Sequence, residues 1–130
     1  MIESYLDGIL LELLLSPVVS TFKTLKREVG DEDGYVRIRC TLSNGNILEF
    51  AEYLLIHKNK IYIETYSFHW QTAGGELIKR WDNVGHHKEI DTFPYHIHLA
   101  DGKVISSAPV NLKKVLVDIE KTMPVNDESE

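Results

Sequence analysis

Residues 35–56, "YVRIRCTLSNGNILEFAEYLLI", decide the fold of this chain. At the start of this stretch apolar and polar side chains alternate, which is the pattern of a β-strand with one buried face. The letters "SNGN" that follow contain an Asn-Gly pair, and this pair favours the tight turn of a β-hairpin. A second apolar strand comes next. The stretch therefore predicts an antiparallel hairpin with Val36, Ile38, Cys40 and Leu42 on one face and Arg37, Arg39 and Thr41 on the other.

Strand signals continue along the chain after this hairpin. Further strands are predicted in "KIYIETYSFHWQ" (60–71), "LIKRWD" (77–82), "FPYHIHLA" (93–100) and "KVIS" (103–106). The connections between them are polar or contain Gly, with Asp101-Gly102 as a further hairpin signal, and most are too short for the crossover that parallel strands need. The sheet is therefore expected to be antiparallel.

Two amphipathic helices are predicted to flank the strands. In the N-terminal segment, apolar residues recur at helical spacing until Ser16-Pro17 ends the pattern. They are Ile2, Leu6, Ile9, Leu10, Leu13 and Leu14. The stretch "NLKKVLVDIEKTM" (111–123) has the same spacing, with Asn111 as the N-cap and Pro124 after its end. We predict one α+β domain over residues 1–124, with an N-terminal helix, an antiparallel sheet of about six to seven strands and a C-terminal helix. Residues 125–130 are expected to form an acidic, flexible tail.

Composition and charge limit the class of protein. The chain has 130 residues and is 43% hydrophobic, which suits one globular domain. Its net charge of -6 is accounted for by two acidic runs, residues 31–33 and 127–130, so it does not exclude a nucleic-acid partner. Cys40 is the only cysteine, and this favours the cytoplasm. Because Glu3, Asp7 and Glu12 interrupt the apolar N-terminal segment, neither a signal peptide nor a membrane partner is expected.

Five of the six histidines fall between residues 69 and 98. Side chains two positions apart lie on the same face of a strand. If the three strands here are neighbours, one face carries His69, Arg80, Asp82, His96 and His98, and the loop at its rim carries His86 and His87. Imidazoles shuttle protons near neutral pH, and an arginine stabilises a developing anion. These residues are therefore the predicted catalytic set.

Other residues near this face have two interpretations each. Trp70 and Trp81 are expected to anchor the apolar face, although either also suits stacking on a nucleobase. With Asn83 and Tyr95 they make the predicted substrate-binding set. Asp82 and Asn83 are also typical of the start of a turn. No second pair of ligands stands at a zinc-site spacing, so no metal or other cofactor is expected.

The ordered series "YSFHWQ", "LIKRWDNVGHH" and "TFPYHIH", followed by "ADGKV", resembles the TumE family of toxin components of bacterial and archaeal toxin–antitoxin pairs. The resemblance covers about residues 15–120. The matching positions are Tyr66, His69, Trp70, Arg80, Trp81, Asp82, Asn83, His86, His87, Phe93, Pro94, His96 and His98. Val84-Gly85 stands where the family usually has Ala-Pro, which should loosen the loop carrying the paired histidines. Tyr95 stands where a further His is common. The resemblance implies a small toxin whose partner is an antitoxin of helix-turn-helix type, and it supplies no mechanism.

The leading hypothesis is an endoribonuclease that needs no metal. His96 or His98 would take the proton from the RNA 2'-OH, and His69 or His87 would protonate the leaving oxygen. Arg80 would hold the phosphate. RNA is therefore the expected substrate.

Two alternatives stay open at this point. In the leading hypothesis, Asp82 orients an imidazole. In the first alternative, Asp82, His96 and His98 instead bind a divalent metal ion for hydrolysis or nucleotidyl transfer. The other is a non-enzymatic module that masks a partner, with the histidines in structural hydrogen bonds. The apolar stripe of the first helix also allows a homodimer.

Overall fold

Seven strands form one antiparallel sheet in which every strand pairs with the next along the chain. The computed structural model describes residues 1–84 and 94–123. In chain order the elements are α1 (Ile2–Leu15), β1 (Val19–Val29), β2 (Asp33–Leu42), β3 (Ile47–His57), β4 (Lys60–Gln71), β5 (Leu77–Asp82), β6 (His96–Leu99), β7 (Val104–Ser106) and α2 (Leu112–Thr122). The predicted α+β single domain, with a helix at each end of the strand series, is confirmed.

The tight turns form where the sequence predicts them. Gly45, in the "SNGN" turn between β2 and β3, has a φ of 90°, a conformation that glycine adopts without strain. Gly102, between β6 and β7, has the same φ. The turn between β3 and β4 uses Lys58 and Asn59 instead, both with positive φ, as a two-residue hairpin with mirror-image turn geometry requires. These short connections place consecutive strands side by side.

Both helices contribute to one hydrophobic core on one face of the sheet. The α2 residues in it are Leu112, Val115, Leu116 and Ile119, and Asn111 caps this helix by accepting a hydrogen bond from the amide of Lys114. On the sheet side, Phe50 and Phe68 stack across β3 and β4 with ring centroids 5.3 Å apart. In α1 the buried stripe is Ile2, Leu6, Ile9 and Leu13. The prediction for Leu14 is wrong, since it lies outside this stripe and is 70% exposed.

The opposite face of the sheet carries no helix among residues 1–84 and 94–123. Strand alternation turns the polar side chains of β2, β3, β4, β5 and β6 towards this side, which we call the open face. In the described part of the chain, no helix is long and apolar enough to cross a membrane.

One carboxyl lies on the helix side, among the core residues. Glu52 of β3 is 1% exposed, and its Oε1 accepts a hydrogen bond of 2.6 Å from the hydroxyl of Tyr5 in α1. Burial raises the pKa of Glu52 to about 7, although the Tyr5 hydrogen bond opposes this rise. Ionisation of the Glu52 carboxyl in the folded protein therefore lowers the free energy of unfolding.

Replacing Glu52 by Gln is expected to remove a pH dependence of folding. The pKa of this carboxyl is 4.5 in the unfolded chain and about 7 in the folded protein. Its contribution to the free energy of unfolding is therefore complete below pH 4.5 and is lost as the pH rises through 7. E52Q should therefore become more stable relative to wild type between pH 5 and pH 8, by on the order of 1–3 kcal/mol. Urea denaturation of both proteins at the two pH values measures this difference. Glu64→Gln changes an exposed carboxyl and is the control. If E52Q and wild type differed in free energy of unfolding by the same amount at pH 5 and pH 8, the expectation would be contradicted.

Candidate active site

Two adjacent rows of side chains cross the open face, because the strands pair in a continuous register. The first row is Lys23, Arg39, Glu49, His69, Arg80 and His98, each directly opposite the next. The second row is Lys26, Arg37, Ala51, Ser67, Asp82 and His96. The prediction that His69, Arg80, Asp82, His96 and His98 share one face is therefore confirmed. Their catalytic roles stay predictions.

Asp82 is the centre of the polar contacts on this face. It is 1% exposed, and its Oδ2 accepts a hydrogen bond of 3.0 Å from Nε of Arg80. Its Oδ1 accepts a hydrogen bond of 3.2 Å from the amide of Val84. The Nε2 atoms of His96 and His98 lie 2.6 and 3.4 Å from the two carboxylate oxygens. A buried carboxylate needs such compensation, because it has lost its hydration.

His96 is completely buried and holds its ring between two acceptors. Its Nδ1 lies 2.9 Å from the carbonyl oxygen of Pro94, which only accepts, so Nδ1 carries a hydrogen. Its Nε2 lies 2.6 Å from Oδ1 of Asp82. Since His96 is 0% exposed, it positions Asp82 and does not reach a substrate.

The guanidinium of Arg80 is held from two sides. Nε donates to Asp82, and Nη1 lies 3.2 Å from Nδ1 of His69. Because arginine only donates, this His69 nitrogen accepts and is not protonated. Burial, followed by the positive charge of Arg80, lowers the pKa of His69. His69 is therefore neutral near pH 7 and suits the orientation of Arg80 better than the donation of a proton.

His98 is a predicted catalytic histidine whose ring is accessible and lies beside the Asp82 carboxylate. Its side chain is 24% exposed, whereas that of His96 is 0% exposed. The two rings meet edge to face with centroids 4.9 Å apart. The carboxylate of Asp82 next to His98 stabilises an imidazolium at this position. Among the described histidines, His98 therefore best combines access with a charged partner.

Trp70 and Trp81 anchor the apolar face, as expected, and the alternative that either stacks on a nucleobase needs correction. Trp81 is 2% exposed and Trp70 is 6% exposed, and both belong to the hydrophobic core on the helix side. The Nζ atom of Lys79 lies 4.9 Å from the Trp81 ring centroid, on that same side. The two indoles therefore anchor the core and offer no open ring on the face that carries His98.

The remaining predicted residues lie at the margin of the site or outside the described chain. Asn83 makes backbone hydrogen bonds to β4: its Oδ1 accepts from the amide of Tyr66, and its Nδ2 donates to the carbonyl of Glu64. Tyr95 stacks on Tyr66 with centroids 6.4 Å apart. These contacts are structural, but they cross to β4, so the local hydrogen bond of the turn interpretation is made by Asp82, which accepts from the amide of Val84, and not by Asn83. His86, His87 and Phe93 lie outside the described residues.

The sequence-based site omits three charged residues of the open face. Glu49 accepts hydrogen bonds from Nη1 of Arg37 at 2.8 Å and Nη1 of Arg39 at 2.9 Å. Alternation already turned both arginines away from the core. Their place beside His69 follows only from the order of the strands, because β3 lies between β2 and β4.

The donor set of Asp82, His96 and His98 was tested for a metal ion. Their ligand atoms lie within 4.8 Å of one another. A tetrahedral site with bonds of about 2.0 Å keeps its ligands about 3.3 Å apart, while His96 Nε2 and Asp82 Oδ1 are 2.6 Å apart. The chemistry of the donors fits a divalent cation, but His96 Nε2 and Asp82 Oδ1 would have to move apart before both could bind one ion.

Comparison with known proteins gives one match. A family model described as Toxin TumE matches residues 9–123 of the chain. That span contains the whole series of strands and α2. No curated protein and no solved structure matches the chain.

The two histidines of β6 should differ sharply in their effect on stability. His96→Ala removes a buried ring and the compensation of Asp82, so the free energy of unfolding should fall by about 3–5 kcal/mol. His98→Ala removes a partly exposed ring and should cost about 1 kcal/mol or less. Urea denaturation of both variants at pH 7 measures these losses. Equal losses would contradict the assignment of His96 as the buried, positioning residue.

Proposed function

The chain belongs to the TumE toxin family, and from this premise we propose that it is the toxin of a toxin–antitoxin pair and acts as a metal-independent endoribonuclease. The observation that carries the catalytic part is the row His69, Arg80, His98, in which an arginine stands between two imidazoles on neighbouring strands. This set contains a phosphate ligand and a proton acceptor on one open face. Phosphodiester cleavage by the neighbouring 2'-OH needs both.

In the proposed reaction, His98 takes the proton of the RNA 2'-OH. The 2' oxygen then attacks the phosphorus, and the bond from phosphorus to the 5' oxygen breaks. The products are a 2',3'-cyclic phosphate and a 5'-hydroxyl. The imidazolium formed on His98 lies next to the Asp82 carboxylate, 3.4 Å away, which stabilises its charge.

Arg80 binds the phosphate and the charge that develops on it. The guanidinium has five N–H donors, and its contacts with Asp82 and His69 use one on Nε and one on Nη1. The remaining donors serve the phosphate without loss of those contacts. Because Asp82 and His69 fix the guanidinium before substrate binds, little reorganisation is needed during the reaction.

The acid that protonates the leaving oxygen is assigned by elimination. His69 has a lowered pKa, and its Nδ1 accepts from Arg80, so it does not suit this role. His96 is buried. His87 remains from the sequence-based assignment, with His86 beside it, and both lie outside the described residues.

The partner follows from the family. Membership in a toxin family implies an antitoxin that neutralises the protein. We propose that this antitoxin is of the helix-turn-helix type and that the pair acts in the cytoplasm, where the RNA substrate is found. The single cysteine, Cys40, is buried and suits that reducing compartment.

His98→Ala is expected to reduce RNA cleavage by about 100 to 10,000 fold, the usual contribution of a positioned base. Arg80→Lys keeps the charge beside Asp82 but loses the planar fork, so it should also lower the cleavage rate. The measurement is cleavage of a labelled RNA, with detection of the 2',3'-cyclic phosphate end.

Two controls belong to this experiment. Arg27→Gln changes an arginine on the helix side of the sheet, where it pairs with Asp7, and should leave cleavage unchanged. An RNA with 2'-O-methyl groups should resist cleavage, because it lacks the attacking hydroxyl. If H98A cleaves RNA at the wild-type rate, or if wild type leaves RNA intact, the ribonuclease assignment is wrong.

A metal-dependent hydrolase or nucleotidyltransferase is the second candidate, favoured by the proximity of Asp82, His96 and His98. A bound divalent cation would polarise a phosphoryl oxygen. The experiment is elemental analysis of protein purified without a histidine tag, together with cleavage before and after chelation. We expect no stoichiometric metal and unchanged cleavage in chelator. Loss of cleavage that returns with one divalent metal would favour this candidate over the proton-transfer mechanism.

A further inference from the structure

A polar cavity lies on the open face beside the Asp82 cluster. It has a volume of about 260 Å³ and is lined by Arg37, Arg39, Glu49, Ser67, His69, Gln71 and Arg80. Three guanidinium groups and one imidazole therefore border the same space. Of these residues, only His69 and Arg80 have a role in the proposed reaction, so the rest of the cavity has no function assigned so far.

The charge of this cavity fits an anion. Three arginines stand against one carboxylate, in a chain whose net charge is -6. Glu49 bridges Arg37 and Arg39 and so holds both guanidinium groups in place, while it neutralises only one of them. The Arg39 side chain is 46% exposed, and its hydrogen bond to Glu49 uses one of the five N–H groups of an arginine, so the others can bind a ligand. Lys23, directly opposite Arg39 on β1, extends the positive charge to the edge of the sheet.

The size of the cavity limits the ligand. Sites for whole small molecules usually have volumes of about 300–1,000 Å³, and this cavity lies below that range. It accommodates a phosphate group, with the sugar and base remaining outside. Guanidinium groups bind phosphate oxygens through paired hydrogen bonds and do not read the base.

We infer that this cavity is a phosphate subsite, in which Arg37 and Arg39 bind a backbone phosphate of single-stranded RNA next to the phosphate held by Arg80. The inference rests on the proposed action on RNA. Arg80 borders both the cavity and the Asp82 cluster, so one strand of RNA contacts both. The subsite contributes affinity that depends on salt and not on sequence.

The test is binding of a fluorescein-labelled single-stranded RNA with 2'-O-methyl groups throughout, measured by anisotropy over a series of salt concentrations. Arg39→Gln should weaken binding by roughly tenfold at low salt and make the slope of log K against log salt shallower by about 0.7. Arg37 remains to pair with Glu49 in this variant. Arg39→Lys should keep the wild-type slope, because it keeps the charge, and should bind with an affinity between those of wild type and R39Q, because it loses the paired hydrogen bonds. Arg27→Gln, the matched arginine on the helix side, should not change binding, and urea denaturation checks that every variant is folded.

The outcomes separate this inference from the proposed function. Wild-type affinity of R39Q for this RNA overturns the subsite, whatever the cleavage assay gives. Equal competition by a polyglutamate peptide of the same charge also overturns it, because the face would then serve an acidic protein segment. Weakened binding by R39Q, together with no cleavage of unmodified RNA by wild type, supports the subsite and rejects the ribonuclease mechanism. Weakened binding together with cleavage supports both.

Discussion

The Asp82 carboxylate is 1% exposed, and a charge buried to this extent is stable only where other groups replace its lost hydration. Arg80 from its own strand, His96 and His98 from β6 and the amide of Val84 provide this compensation. The partners come from β5, from β6 and from the segment that follows β5. Asp82 therefore ties these parts together, and the contacts that stabilise it also orient Arg80 and His98. In this molecule, local stability and the geometry of the candidate site have the same cause.

The register of three strands decides which polar side chains meet. Phe68, Trp81 and Ile97 lie directly opposite one another on β4, β5 and β6, on the helix side. A slip of one residue would turn Trp81 to the open face and Arg80 into the core, since successive side chains alternate between faces. Burial of one large apolar side chain is worth about 1.5–3 kcal/mol, so such a slip is strongly disfavoured. Core residues without any chemical role thus determine that His69, Arg80 and His98 form one row.

Local patterns in the sequence were sufficient for most of the fold. Alternation predicted the strands, and Asn-Gly and Asp-Gly pairs predicted two of the turns, because both signals act over a few residues. They were also sufficient for the shared face of the five predicted residues.

These local patterns could not distinguish His96 from His98, because the two lie two positions apart on one strand and point to the same face. The two rings differ in exposure, and exposure depends on the packing around each ring. Nor could local patterns place Arg37 and Arg39 beside His69, because β3 intervenes and its Glu49 joins the two arginines. The exposure of Leu14 depends in the same way on the exact rotation of α1.

The balance of charge on the open face suits one particular ligand. Arg37, Arg39 and Arg80 face the carboxylates of Glu49 and Asp82, which leaves one positive charge in excess. A phosphodiester carries one negative charge, so the first phosphate to bind brings the charge of these five groups to zero without breaking the ion pairs that hold the arginines. The positive charge of Lys23, opposite Arg39 at the edge of the sheet, offsets the negative charge of a second phosphate. A more negative ligand would leave charge uncompensated among half-buried groups, and a neutral ligand would leave a guanidinium partly desolvated. The carboxylates of Glu49 and Asp82 reduce the positive charge of the open face, and the charge that remains is comparable to that of the phosphates of a nucleic-acid backbone.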